Sequence, residues 1–295
     1  MAGSLALVAL LGVALFPRRV VGWFGGGGQA TTAPAAESER PRTAPGAEPD
    51  LRPTLTEPFR GPPAARWADG AAGITVPAAL AAGWMDKAQV TRAPARSKEF
   101  LVAAGLDTRV LRGERPSKAI AVLNPRQKDV QHYLRAALSA KTLTPETDPL
   151  LLFSRFRPDQ ARLVGDVVKT RCRLSYREGK RGAVEVTADV TFVYPVTPAG
   201  GGEVLRTIAR REVVMSWDDP SKAVTEPGTM SLLSYALDMT NGGCSAPTGY
   251  FVPPFGNTQH TDQTHRVAPY DRSKPVDKSD GVRPASGNCA TATRS

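Results

Sequence analysis

From Val164 to Tyr194 the hydropathy of the chain changes sign at every second residue, a period that only a β-strand can place on two separate faces. One face reads Val164, Asp166, Val168, Thr170, Cys172, Leu174 and Tyr176, and resumes after Glu178–Gly182 as Val184, Val186, Ala188, Val190, Phe192 and Tyr194. The other face carries Lys169, Arg171, Arg173, Ser175 and Arg177, then Glu185, Thr187, Asp189 and Thr191. The pattern predicts an antiparallel hairpin with one buried and one charged face, cations on one strand opposing carboxylates on the next. A third strand is expected over Val204–Trp217, beyond the Gly200–Gly202 turn, with a bulge where the alternation slips at Arg210–Arg211. A fourth is expected over Met230–Met239.

Helical periodicity precedes the strands. Arg96–Gly105 presents Phe100, Leu101 and Ala104 and stops at a glycine suited to the position after a helix. Arg126–Ala140 aligns Val130, Tyr133, Leu134, Ala137 and Leu138 on one stripe, behind Pro125. His132 falls just off that stripe, as a surface residue does. Helices followed by an antiparallel meander is an α+β order.

The two ends differ from this middle. Residues 5–16 read LALVALLGVALF, an apolar run shorter than the roughly 20 residues of a membrane-spanning helix but matching the core of a signal peptide or short anchor. Arg18 and Arg19 follow it, and Val20–Phe24 can extend it. From Gly25 to about Ala65 the chain is Gly, Pro, Ala, Thr and Glu with almost no large apolar side chain, too little surface to offset the entropy of ordering. An apolar segment, a polar spacer and a domain form the layout of a tethered extracytoplasmic protein. The expected organisation is therefore a signal peptide or anchor over 1–24, a disordered linker over 25–65, an α+β domain over 66–256 and an irregular tail over 257–295. The expected location is the cell membrane with an extracellular domain, or the secreted state.

The chain has three cysteines and three histidines, with no Cys-x-x-Cys pair, and this pattern predicts no metal site. In an oxidising compartment Cys244 and Cys289, both in irregular surroundings, are the expected disulfide pair, with Cys172 a buried thiol. The net charge of +10 is dispersed, with no Lys/Arg block and no interleaved aromatics, so nucleic acid is not an expected partner. Lys169, Arg171, Arg173 and Arg177 would form a cationic stripe roughly 20 Å or more long. Such a stripe is a candidate surface for an anionic envelope polymer or an envelope protein.

In element order, residues 80–240 resemble the NTF2-like fold, a neighbour of the cystatin-like fold, in which helices pack into the concave face of a curved antiparallel sheet. About four strands are expected here. The stretch from Trp67 to Phe255, including WADGAAGITVPAA, RGERPSKAI, LVGDVVKTR and FVYPV, is similar to a group of secreted or membrane-anchored actinobacterial proteins. That resemblance implies location and fold and brings no activity. NTF2-like enzymes place an acidic base and hydroxyl donors in an apolar cone, where burial raises a carboxyl pKa. Asp166, Tyr176 and Tyr194 are the residues that the alternation directs inward, but no motif of those enzymes is present.

No Gly-x-Ser-x-Gly occurs, and His260 and His265 lie in a polar tail. Asp218–Asp219 reads as a turn, and no glycine run carries the Lys-Ser/Thr of a phosphate loop. No cofactor is implied. Three readings follow: a non-catalytic, membrane-tethered domain with a filled interior; a small-ligand binder or isomerase/cyclase-like protein with a cavity holding Asp166 and a tyrosine; and a binder of anionic polymer through the cationic stripe.

Overall fold

The computed structural model describes residues 52–243 and 246–256, together with positions 266–267, 270, 272, 276 and 291–292. The apolar run at 5–16, most of the linker, the proposed Cys244–Cys289 pair, His260 and His265 lie outside the described residues. Among the described residues no helix is long and apolar enough to cross a membrane.

The folded part is α+β. Strands β1 (Ala68–Asp69), β2 (Ala161–Leu163), β3 (Lys169–Glu178), β4 (Val184–Pro198), β5 (Leu205–Trp217) and β6 (Ser231–Thr240) form one six-stranded sheet. Its order is β1-β3-β4-β5-β6, with β2 on β4, and every pairing is antiparallel. The expected meander is therefore present, but with six strands in place of about four. The extra pieces have a simple cause. Strand β4 is 15 residues long and β3 only 10, so Val196–Pro198 run past the end of β3. Strand β2 pairs with that overhang, Leu163 opposite Val196, and β1 adds a short edge to β3. Arg266–Val267 and Thr291–Ala292 form a separate parallel pair, β7 and β8.

Four helices precede β2: α1 (Lys87–Gly105), α2 (Thr108–Leu111), α3 (Ser117–Ile120) and α4 (Lys128–Ser139). Helix α1 starts nine residues before the expected Arg96. The added stretch includes Pro94, which removes one backbone donor from the helical ladder. The structure carries it inside the helix, since a capping box starts the element upstream: Gln89 N donates to Asp86 Oδ1 at 2.8 Å, and Asp86 N to Gln89 Oε1 at 2.9 Å.

The main core lies between helices and sheet. Val184, Val186, Ala188, Val190, Phe192 and Tyr194 of β4 are buried there with Phe100, Leu101 and Ala104 of α1 and Val130, Leu134 and Ala137 of α4. Each large side chain so buried contributes about 1.5–3 kcal/mol. The other face of the sheet is covered as well. Val193 and Ile208 pack with Ala64 and Trp67, against Phe59 and Tyr270. Trp67 and Tyr270 meet edge to face with ring centroids 5.6 Å apart. Arg206, 1% exposed, donates through Nη1 to the carbonyl of Arg60 at 2.9 Å. Packing thus begins ahead of residue 66, inside the stretch read as linker, and also takes in Tyr270, Arg272 and Val276 from the stretch read as tail. A polar composition hid both segments, because each supplies only one or two aromatic anchors.

The bulge expected at Arg210–Arg211 is elsewhere. The alternation of β5 continues unbroken through Ala209, Arg211 and Val213, all opposite β4 in register, and the irregularity falls between Val214 and Met215 in the pairing with β6. An arginine on the buried face had mimicked a slip.

A Cβ at Gly105 would stand 2.7 Å from the Phe192 ring. Gly105→Ala is expected to cost about 1–3 kcal/mol by overpacking, read as a lowered urea midpoint with an unchanged slope.

Candidate functional site

The structure separates the groups that the alternation had directed into one cone. Tyr194 is fully buried at the centre of β4. Tyr176 is half-buried near the far end of β3, where its hydroxyl donates to the Ala78 carbonyl at 2.8 Å and accepts from Leu80 N at 2.6 Å. Asp166 does not face inward at all. Gly165 adopts a left-handed φ of 70°, a conformation glycine tolerates without strain, and the expected continuous strand breaks between Leu163 and Lys169. Asp166 is therefore exposed, in the connection between β2 and β3.

In place of an acid and its donors, the interior holds a buried guanidinium. Arg211, 2% exposed, donates to the Leu150 carbonyl through Nε at 3.2 Å and Nη2 at 2.8 Å, and to Ser154 Oγ through Nη1 at 3.0 Å. Tyr194 Oη lies 2.9 Å from the Gly105 carbonyl and 2.7 Å from Ser154 Oγ. The phenol has one proton and the carbonyl can only accept, so that proton goes to Gly105 and the Ser154 hydroxyl donates to Tyr194 Oη. The segment from Asp148 to Phe156 is thereby stitched to α1 and to the sheet. Tyr133 of α4 adds a bond to the Asp148 carbonyl at 2.9 Å, and the Asp148 carboxylate accepts from Leu150 N at 2.8 Å. Burial pushes the Asp148 carboxyl up, against the Leu150 amide bond and the charges of Arg211 and Arg155. The hydroxyls of Tyr133, Ser154 and Tyr194 and the Arg211 guanidinium are all bonded within the chain, so the network reads as scaffolding. Sequence reasoning missed Arg211. The signal was its odd-numbered position in line with Ala209 and Val213.

On the opposite face the cationic stripe is distributed among internal partners. Lys169 is 2.6 Å from Asp69 and donates to the Trp67 carbonyl at 3.1 Å. Arg171 lies over the Trp67 ring at 5.8 Å. Arg177 pairs with Glu185 directly across the strands at 2.6 Å. Arg173 is exposed, in register with Asp189. Asp189 is the hub of this face. Arg210 grips both its oxygens at 2.9 Å, and Arg272 from the C-terminal segment lies at 2.9 Å from Oδ2. Burial alone would raise this carboxyl, but the Arg210 hydrogen bond and the two guanidinium charges hold it below the usual carboxylate range.

Two further sequence readings fall into place. Cys172 is a free, half-buried thiol, pushed up to about 12 by burial and so unreactive as a nucleophile. Asp218 and Asp219 form a turn, taking hydrogen bonds from Ser216, Ser231 and Ser221. Among the described residues no His, Cys, Asp and Glu cluster could hold a metal ion.

Among the described residues a cleft of about 360 Å³ lies at the end of the sheet, between α2, the Phe156–Pro158 crossing and β2. Its apolar lining includes Leu106, Leu111, Phe156, Ala161 and Val168. Arg112, Arg162 and Asp166 stand around it, all exposed, and none of them makes a side-chain hydrogen bond or ion pair among the described residues.

Comparison of the chain with protein-family models, curated proteins and solved structures returns no match.

Two predictions test the networks. Burial pushes the Tyr194 phenol up to about 12, against an ordinary value of about 10. The native state keeps this proton longer than the unfolded chain, so its contribution is complete below pH about 10 and is lost as pH rises toward 12. Tyr194→Phe is expected to cost about 1–3 kcal/mol at pH 7 and to flatten the alkaline loss of stability, measured by denaturant titration across pH. Asp189→Ala leaves two buried guanidinium groups without their carboxylate. It is expected to cost about 3–5 kcal/mol, read as a lowered denaturant midpoint.

Proposed function

We propose that this chain is a non-catalytic, extracytoplasmic domain, tethered to the membrane by its N-terminal segment, with an interaction or structural role in the bacterial envelope. One observation carries the reading. The large polar side chains between helices and sheet bond within the chain: Tyr194 to the Gly105 carbonyl, Arg211 to the Leu150 carbonyl and Ser154 Oγ, Tyr133 to the Asp148 carbonyl. That engagement within the chain supports the non-catalytic reading. The apolar run at 5–16 and the Pro- and Gly-rich stretch after it support the tether. The cationic stripe favours an anionic polymer less, because Lys169, Arg171 and Arg177 already have partners on the same face.

The test is fractionation of host cells, treatment of intact cells with external protease, and mass mapping of cysteines without reduction. The expected result is a membrane-associated, protease-accessible domain carrying a Cys244–Cys289 cross-link. A cytosolic protein with all three cysteines free overturns the proposal.

A further inference from the structure

We infer that the cleft between α2 and β2 is a binding site for a compact organic carboxylate, a molecule with an apolar body and one anionic head. The inference rests on the cleft alone and does not depend on the membrane tether. The volume of about 360 Å³ is at the lower end of the range of small-molecule pockets, roughly 300–1,000 Å³. Its lining pairs an aromatic ring, Phe156, with aliphatic side chains from α2, β2 and the start of β3, which suits an apolar body of ring size.

The margin decides the sign of the ligand. Arg112 at the end of α2 and Arg162 on β2 both line the cleft, with the Arg162 guanidinium reaching toward the Gly201 turn, and neither makes a side-chain hydrogen bond or ion pair among the described residues. On the other face of the sheet the guanidinium of Arg210 is committed to a carboxylate. The two cleft arginines thus keep their planar forks of donors available for a bidentate carboxylate contact. The surroundings add to the field. Arg155 and Arg157 both lie over the Tyr250 ring, at 4.5 and 5.1 Å, beside the Phe156 wall. Asp166 is the opposing charge on the margin, and it follows Gly165, where an added Cβ would meet only open space. A ligand with a second negative charge would be repelled there, so a monoanion fits better than a dianion.

The experiment is titration of the purified full chain with 3-phenylpropionate, followed by calorimetry or ligand-observed NMR. The neutral 3-phenylpropan-1-ol serves as the comparison. Saturable binding of the carboxylate is expected, with the alcohol bound more weakly. The double variant Arg112→Gln/Arg162→Gln is expected to weaken carboxylate binding by about tenfold or more and to leave the alcohol unchanged. Asp166→Asn is expected to tighten the carboxylate by roughly two- to fivefold, by removing a like charge at an exposed margin. All three positions are exposed, and a damaged fold cannot produce tightening, so the aspartate variant separates binding from stability. No saturable binding of 3-phenylpropionate, equal affinity in all variants, or equal binding of the alcohol would overturn the site.

Discussion

The guanidinium of Arg211 is the point at which the parts of this domain meet. It sits on a central strand, faces the helices, and bonds only to neutral oxygens of the segment that passes beneath them. Moving such a group out of water costs several kcal/mol unless its donors are satisfied. The Leu150 carbonyl and Ser154 therefore have little freedom, and the path of the chain from Asp148 to Phe156 is set by them. That path in turn places Ser154 against Tyr194 and Phe156 against Tyr194 and Phe251, whose rings lie 5.6 and 5.2 Å from Phe156. The backbone joins in, with Ser154 N donating to the Ala104 carbonyl and Phe156 N to that of Leu111. One buried charge thus fixes the end of α1, the position of α2 and one wall of the cleft.

The two faces of the sheet are covered by different physics. The helix side is a broad apolar core of valines and aromatics with a small polar network in it. The far side is a narrow strap of chain from both ends, held by Trp67 and Tyr270 and by arginines that reach backbone carbonyls or Asp189. Strand β4 is buried on both faces as a result, carrying Glu185 and Thr191 to positions where water scarcely reaches them. A sheet clad in this manner has little open surface in its middle. The cleft between α2 and β2 lies at its end, beside the break in the chain at Gly165.

The strands from Lys169 onward, the burial of Phe100, Leu101 and Ala104, and the opposition of cations on one strand to carboxylates on the next were legible from periodicity alone. Three features were not. The first half of α1 was not read as helix; it carries Pro94, whose missing donor a capping box and a packed face outweigh. Arg211 read as a defect in the alternation, since its partners are contributed by residues some sixty positions away in the chain. Asp166 read as inward, since a strict count of every second residue runs straight through a left-handed glycine that resets the direction of the chain. The cleft had no sequence signature either, because its residues come from three separate segments.

What the sequence determined by itself is the class of the fold: period two, period three and a half, and their order dictate helices laid on an antiparallel sheet, because each pattern can bury its apolar residues in only one secondary structure. The tertiary structure decided where the polar residues of that pattern go. Whether an arginine at a given strand position is solvated, paired or sunk among carbonyls depends on chain that arrives from far along the sequence. No local period carries that information, and it is what separates a filled interior from an open site.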